Sequence, residues 1–572
     1  MRCTIASLLV AICLIASTNA LSNSVVGPRR VKLWKLRQQR AQKQSLGNNE
    51  PSGLDAASTQ ATGFTPQFFE QPLDHFDKNR KDTFQQRFWV STRNYQARKG
   101  APVIVLDSGE ADGEERLPFL DTGIVEILTK ATGGVGVVLE HRYYGQSIPV
   151  LNFSTDALRF LDNSQAAADS ANFMRNVKFD GINEDLTAPG TPWIYYGGSY
   201  AGARSAHMKI LYPDIVWGAI ASSGVVHAAV ENWQYMDIIR TAANATCSSN
   251  LVNSVAKIDS ILLGQSNSTK QELKGLFGLA GLTHNTDFAS MLELALDSWQ
   301  NKNWNDAIND PTFDLFCDAL NQPFGNVTAK DLMLPFGHPK RSVQISKDLT
   351  VDAVIMNYAA YIKDVSCFAL SLPPIWAELD NFKFVDGECD TQFQTLDECF
   401  GTYNDADFQS TDLSQTWRTW NFQVCTQWGY FTTAPPDNRP RIISRLLDLA
   451  YESKMCKQAF PPGQFITVPP LPNVESVNIL GDFHIAADRL AIIDGQIDPW
   501  RPDTAHSSDA LPRRDTTLRP FKLIPNAVHH YDEYGLANIQ DEPPEILKIH
   551  QEEIAFVQSW LHDWNVEHGI TN

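Results

Sequence analysis

Three residue settings, met in chain order, suit nucleophilic attack on a carbonyl. Ser199 lies in Trp193-Ile-Tyr-Tyr-Gly-Gly-Ser199-Tyr-Ala-Gly-Ala-Arg-Ser-Ala206, an apolar run followed by a Gly-flanked serine and then a run of small residues. A serine hydroxyl is a poor nucleophile until a histidine takes its proton and a carboxylate fixes that histidine's tautomer. Strand, tight small-residue turn and helix together make a nucleophile elbow, which lifts Oγ clear of a sheet. Gly-Gly-Ser alone would equally be an ordinary turn; its flanks favour the elbow. The G-x-S-x-G pattern is broken at Ala201, with Gly202 next. The acid and base should follow in that order after late strands. Leu490-Ala-Ile-Ile-Asp-Gly-Gln-Ile-Asp498-Pro-Trp500 and Leu523-Ile-Pro-Asn-Ala-Val-His529-His530 supply them. Asp494, suited to a turn with Gly495, rivals Asp498, and His530 rivals His529; the pattern favours Asp498 and His529. An oxyanion hole needs two backbone N–H groups, one expected from Tyr200 and one from Gly109 or Glu110 after an early apolar run. No spaced histidines or cysteines suggest zinc, and neither metal nor cofactor is expected.

The elements that must position these residues read as α/β. Phe84–Val90, Val103–Leu106, Gly136–Glu140, Trp193–Tyr196 and Val216–Ala221, later joined by Ala491–Ile493 and Phe521–Ile524, are mostly apolar without alternation, as in buried parallel strands. A closing helix after Pro544 would put Leu547, Ile554, Val557 and Leu561 on one face. Residues 226–477 differ. Helical periods at Phe288–Trp299 and Ile442–Tyr451, with Cys247, Cys317, Cys367, Cys389, Cys399, Cys425 and Cys456 all inside, predict a mostly helical, disulfide-containing cap inserted between 65–225 and 478–572. Seven cysteines imply three disulfides and one odd thiol, with the pairing open.

Residues 1–20 read as a signal peptide: Arg2, the apolar run Ile5–Ala16, and small residues before Leu21. Residues 21–64 read as a basic leader or prosegment, with seven basic side chains and no acid in 21–45, and Arg29-Arg30 as a dibasic processing site. Val31, Leu33, Trp34 and Leu36 would also suit a membrane-binding helix, but the Gly-, Asn-, Ser- and Gln-rich stretch that follows favours a leader, and the fold is expected to begin near Thr65. Asn152, Asn244, Asn267 and Asn326 head glycosylation sequons. The net charge of −19, more acidic still without the leader, suits acidic surroundings and argues against nucleic acid. No membrane span is expected.

Several segments together resemble the serine peptidase family that contains lysosomal prolyl carboxypeptidase, dipeptidyl peptidase II, thymus-specific serine protease and fungal acid prolyl endopeptidases. They are Gln71-Pro-Leu-Asp-His-Phe-Asp77 with Thr83-Phe-Gln-Gln-Arg-Phe-Trp89, Glu140-His-Arg-Tyr-Tyr-Gly-Gln-Ser147, Gly197-Gly-Ser-Tyr200, Cys425-Thr-Gln-Trp-Gly-Tyr-Phe431, Asp498-Pro-Trp500 and Ala527-Val-His-His530. The resemblance implies an α/β-hydrolase core with a helical cap, a Ser199–Asp498–His529 triad, and cleavage of proline-containing peptides as an exopeptidase, trimming either a carboxypeptidase's or a dipeptidyl peptidase's end. The alternatives are a prolyl endopeptidase, an esterase or lipase on the same scaffold, or a non-catalytic binding module. Secretion or delivery to a lysosome or vacuole is expected, and a homodimer is compatible with the resemblance. Gly109-Glu110-Ala111-Asp112 stands where relatives carry Gly-Asn-Glu-Gly, so Glu110 and Asp112 become candidates for holding a substrate amine, and Ala-Val precedes His529 where relatives have Gly-Ala. Trp428, Tyr430 and Trp500 are candidates to line a proline-sized pocket, with core packing as the competing role.

Overall fold

The computed structural model describes residues 27–47, 63–322, 342–363, 389 and 394–570. A helix, α1 (Pro28–Gly47), precedes the strands β1 (Gln67–Pro72), β2 (Thr83–Ser91), β3 (Val103–Asp107), β4 (Val135–Leu139), β5 (Trp193–Gly198) and β6 (Val216–Ser222). After the middle segment, β11 (Leu490–Gly495) and β12 (Phe521–Ile524) complete one sheet in the order β1-β2-β4-β3-β5-β6-β11-β12. β2 runs antiparallel to both its neighbours; every pair from β4 to β12 is parallel. The chain thus has an α/β-hydrolase core.

Alternation along each strand feeds two hydrophobic layers. Val103, Val105 and Tyr195 face one layer; Ile104, Leu106, Ile194 and Tyr196 face the other, which is closed by α2 (Ile124–Thr132) and the C-terminal helix. On the first face lie α3 (Asn163–Asn176) and α4 (Tyr200–Leu211). Covering both faces explains why β3, β4 and β6 are buried along their whole length. β12 differs: as the edge strand it buries only Ile524 fully, and Leu523 is 41% exposed.

Within the middle segment, the pairs β7 (Ala229–Glu231) with β10 (Gly429–Phe431) and β8 (Ser342–Gln344) with β9 (Thr350–Asp352) accompany helices that include α5 (Asn285–Met291), α6 (Leu396–Phe400) and α7 (Leu449–Ala459). Cys247–Cys317, Cys389–Cys399 and Cys425–Cys456 are bonded; Cys367 lies outside the described residues. Two helical expectations shift here. α5 stops at Met291 and a separate 3-10 turn spans Leu296–Asn301. Ile442–Asp448 is not helical, because the Ser444 hydroxyl turns to Asp259 and the Asp448 side chain caps Tyr451 N, so that α7 starts only at Leu449. The final helix, α8 (Pro544–Glu567), buries Ile546, Ile549, Phe556, Val557, Trp560 and Trp564. Its inner face is rotated from the expected one, leaving Leu547 and Ile554 half-buried, because Trp560 stacks over Gly218 and its carbonyl accepts from Trp217 Nε1.

α1 stands upstream of the expected start near Thr65, yet it is docked. Val31, Leu33 and Leu36 are buried, and the helix lies against α5, α6 and α7. Arg29 and Arg30 are both ion-paired to Asp297, so both members of the dibasic pair are held against the middle segment. No helix among the described residues is long and apolar enough to cross a membrane.

Candidate active site

Ser199 stands between β5 and α4 at φ 59°, ψ −123°, a conformation that an L-residue adopts only when its surroundings enforce it. Ser199 N donates to Ser222 O at 2.9 Å, tying the turn to the end of β6. A β-carbon on Gly197 would lie 2.1 Å from the Ala201 carbonyl oxygen, and one on Gly198 would lie 2.4 Å from a Glu533 carboxylate oxygen. The backbone approach at Gly197 requires glycine, and a side chain at Gly198 would have to displace the Glu533 carboxylate. The turn's other close approach is at Gly202, where a β-carbon would meet Ser222 O at 2.7 Å. Ala201 is buried beside the Gly109 loop, and the close approach that the second glycine of the G-x-S-x-G pattern would serve falls instead at Gly202.

Asp498 follows β11 by three residues and His529 follows β12 by five, so both stand beyond the same carboxyl edge of the sheet as Ser199. His529 Nδ1 lies 2.8 Å from Asp498 Oδ2, while Trp500 N donates to Asp498 Oδ1 at 2.9 Å. Burial raises the Asp498 carboxyl, but His529, the Trp500 amide and the Ser223 hydroxyl outweigh it and hold the group below its ordinary value. His529 Nε2, buried, has no hydrogen-bond partner among the described residues. One ring nitrogen is thus fixed on a carboxylate and the other is free to receive a proton. The rivals are placed elsewhere: Asp494 Oδ2 bonds His506 Nδ1 at 2.6 Å, and His530 Nδ1 lies 2.9 Å from Glu533 Oε2.

Tyr200 opens α4, where the helix N-terminus favours negative charge. Gly109 packs against Ala201 and the Tyr200 ring, so the β3 loop does reach the serine turn. However, the Gly109 amide donates to Asp107 Oδ1 at 3.0 Å, which leaves Glu110 as the other expected amide on that loop. Asp107 itself is buried and accepts from Tyr195 Oη and Arg204 Nε, anchoring the loop on β5 and α4.

The acidic loop residues separate. Burial, against the pull of Arg116 and His530, raises the Glu110 carboxyl. Asp112 is drawn away, its Oδ1 accepting from Arg87 Nη2 at 2.5 Å and from Glu114 N. Trp428, Tyr430 and Trp500 pack into the core as a buried aromatic cluster beside the site: Tyr430 and Trp500 rings are 5.3 Å apart, Trp428 is 5.0 Å from Tyr200, and Trp500 is 6.4 Å from His529. Asn152, Asn244 and Asn267 are exposed; Asn326 lies outside the described residues.

Sequence reasoning missed Glu533 and Arg116. Burial raises Glu533, but His530 and Arg116 overcome it and keep the carboxylate low. Its place four residues after His529 was a readable hint; nothing in the sequence pointed to Arg116. Also unforeseen is a bridge from the middle segment: Gln300 Oε1 accepts from Tyr235 Oη at 2.9 Å and Trp500 Nε1 at 2.8 Å, and Trp299 Nε1 donates to Ile497 O at 3.1 Å.

Residues 71–301 and 379–554 match the model of the family described as serine carboxypeptidase S28. A "Probable extracellular serine carboxypeptidase" of Arthroderma benhamiae is 41% identical over 510 residues, covering 86% of this chain and 67% of the relative. The serine protease vicPa of Bipolaris victoriae is 28% identical over 509 residues, covering 88% and 90%. The human lysosomal Pro-X carboxypeptidase is 32% identical over 196 residues, covering 33% and 36%.

Proposed function

The chain belongs to the serine carboxypeptidase S28 family and is a serine-type peptidase; from that premise we propose that it is a secreted carboxypeptidase that cleaves next to proline, with Ser199, Asp498 and His529 as its triad. The observation that carries the reading is the His529–Asp498 hydrogen bond with Nε2 left open, beyond the same sheet edge as a serine held in a strained turn. Ser199 Oγ gives its proton to His529 Nε2 and attacks the carbonyl carbon, while Asp498 holds Nδ1–H and stabilises the imidazolium. The oxyanion draws on the Tyr200 amide and an amide of the Gly109–Glu110 loop. His529 then protonates the leaving amine, and water, deprotonated by the same nitrogen, releases the acyl group. The wall of Trp428, Tyr430 and Trp500 supplies flat apolar faces suited to a pyrrolidine ring.

Two measurements test this. A fluorophosphonate probe should label the full chain and lose its target in Ser199→Ala; unchanged labelling in that variant removes Ser199 from the mechanism. A panel of Xaa-Pro peptides with free or amidated C-termini, assayed at acidic and neutral pH, should show release of the residue after proline only from free termini. Rapid hydrolysis of simple acyl esters without any peptide cleavage would move the reading to an esterase.

A further inference from the structure

The basic N-terminal helix ends in an acidic seat built by the middle segment. Arg29 Nη2 donates to Glu293 Oε2 at 3.2 Å and to Asp297 Oδ2 at 2.7 Å. Arg30 pairs with Asp297 through Nε at 3.1 Å and Nη2 at 2.6 Å. Glu452, from α7, closes the third side: a β-carbon on Gly27 would lie 2.5 Å from its Oε2. Arg29 is 4% exposed and Glu293 is also 4% exposed, yet Arg29 Nη1 and Glu293 Oε1 have no hydrogen-bond partner among the described residues. A buried guanidinium held this way loses its hydration and keeps only part of its donor set satisfied. The seat is thus occupied, though not saturated.

Its position is the informative part. Glu293 and Asp297 lie on the same short stretch as Trp299 and Gln300, whose side chains hold Ile497 O and Trp500 Nε1, on either side of Asp498. Tyr235, which shares Gln300 with Trp500, feels the charges of Arg30, Asp297 and Asp498 together. The seat therefore borders the acid loop of the triad, and what fills it is a side chain from a separate segment of the chain.

We propose that Glu293, Asp297 and Glu452 form a binding site for a peptide guanidinium or ammonium beside the acid loop, that Arg29 of α1 fills it as a tethered ligand, and that displacement of α1 gives it to a basic side chain of the bound peptide. The last clause rests on the peptidase reading; the first two do not. The fork of an arginine matches two carboxylates better than a point charge does, so arginine is the favoured occupant. The rest of α1 holds on by Lys32 on Asp407 at 2.5 Å and by buried Val31, Leu33 and Leu36, contacts that separate from the seat when the helix leaves. The charged and titratable groups facing the seat are Arg30 from α1, Lys454 from α7, and the hydroxyls of Tyr235 and Tyr358. Burial raises Glu293 to about 7 and Glu452 to about 8, with Arg29 opposing both, and a carboxyl that takes up a proton no longer pairs with a cation. Cation binding therefore weakens as pH falls through that range.

The test measures binding rather than turnover. In full chains that all carry Ser199→Ala, fluorescence anisotropy compares a labelled, N-acetylated tetrapeptide containing one arginine with its norleucine twin. The unaltered leader should hold both probes weakly and equally. Arg29→Glu with Arg30→Glu, which repels α1 from the seat, should bind the arginine probe about tenfold more tightly than the norleucine one. Adding Asp297→Asn should remove the preference, and lowering the pH from 8 to 6 should reduce it. If the double reversal fails to fold, Arg29→Gln with Arg30→Gln gives the same comparison. Equal affinity for the two probes in the folded leader variant, or a preference that survives Asp297→Asn, overturns the proposal. Failure of the peptidase reading would appear instead as a Ser199 chain that cleaves no peptide, whether it hydrolyses simple acyl esters or takes no fluorophosphonate label, with the binding comparison unaffected.

Discussion

Asp494, near the end of β11, and Asp498, on the loop that follows it, lie four residues apart, and their partners assign them different work. Asp498→Asn should keep the buried contact with His529 but present the wrong tautomer, lowering kcat on the order of 10⁴-fold, as for the equivalent change in a Ser-His-Asp peptidase. Asp494→Asn, whose carboxylate meets His506, should leave kcat within a few-fold of the parent; steady-state kinetics on a prolyl peptide decides between them. Because Asp498 is held below its ordinary value, its stabilising contribution is present above the usual carboxylate range and is lost only as pH falls through that lowered value. The Ser199 turn and the Asp498–His529 pair were readable because each stands in a recurring local pattern. What escaped was anything set by three-dimensional approach: that Gly202 carries the steric need assigned to position 201, that Asp112 is claimed by Arg87, and that Glu533 lies against Gly198.

At the level of elements, the parallel strands were legible because burial on both faces writes an unbroken apolar run, and β12 was legible despite its exposed edge because Phe521, Leu523 and Ile524 leave only Lys522 polar. Helix boundaries around residues 291–301 and 442–449 were not, since caps and side-chain competitors such as Asp448 and Ser444 override a periodic pattern. α7 offers a prediction of its own. Burial and neighbouring Glu293 raise Glu452 to about 8, Arg29 opposing, against an ordinary value of 4.5. Its stabilising effect is complete below that ordinary value and is lost as pH rises through about 8. The melting midpoint of the full chain should therefore rise by a few degrees when pH is lowered from 8 to 5, measured by circular dichroism. Glu452→Gln should flatten that rise, and a slope unchanged in the variant assigns the pH dependence to other groups.

Across the whole molecule, the order of elbow, helical segment, acid and base was visible in the sequence, but the joint between the middle segment and the acid loop was not. Gln300 and Trp500 are 200 residues apart, and no local pattern announces that one amide oxygen will receive both Trp500 Nε1 and Tyr235 Oη. That joint places Trp500 against His529 and Tyr430 at once, so it bears on both the base and the aromatic wall. Gln300→Leu keeps most of the volume but strands two buried donors, each costing about 1–3 kcal/mol when left unpaired. The variant should melt several degrees lower and should raise KM for prolyl peptides more than it lowers kcat, because the wall shifts while the Asp498–His529 hydrogen bond does not depend on Gln300. An equal fall in kcat and kcat/KM at unchanged KM would mean that the joint instead orients the base, and that the middle segment takes part in the chemistry rather than in holding the substrate.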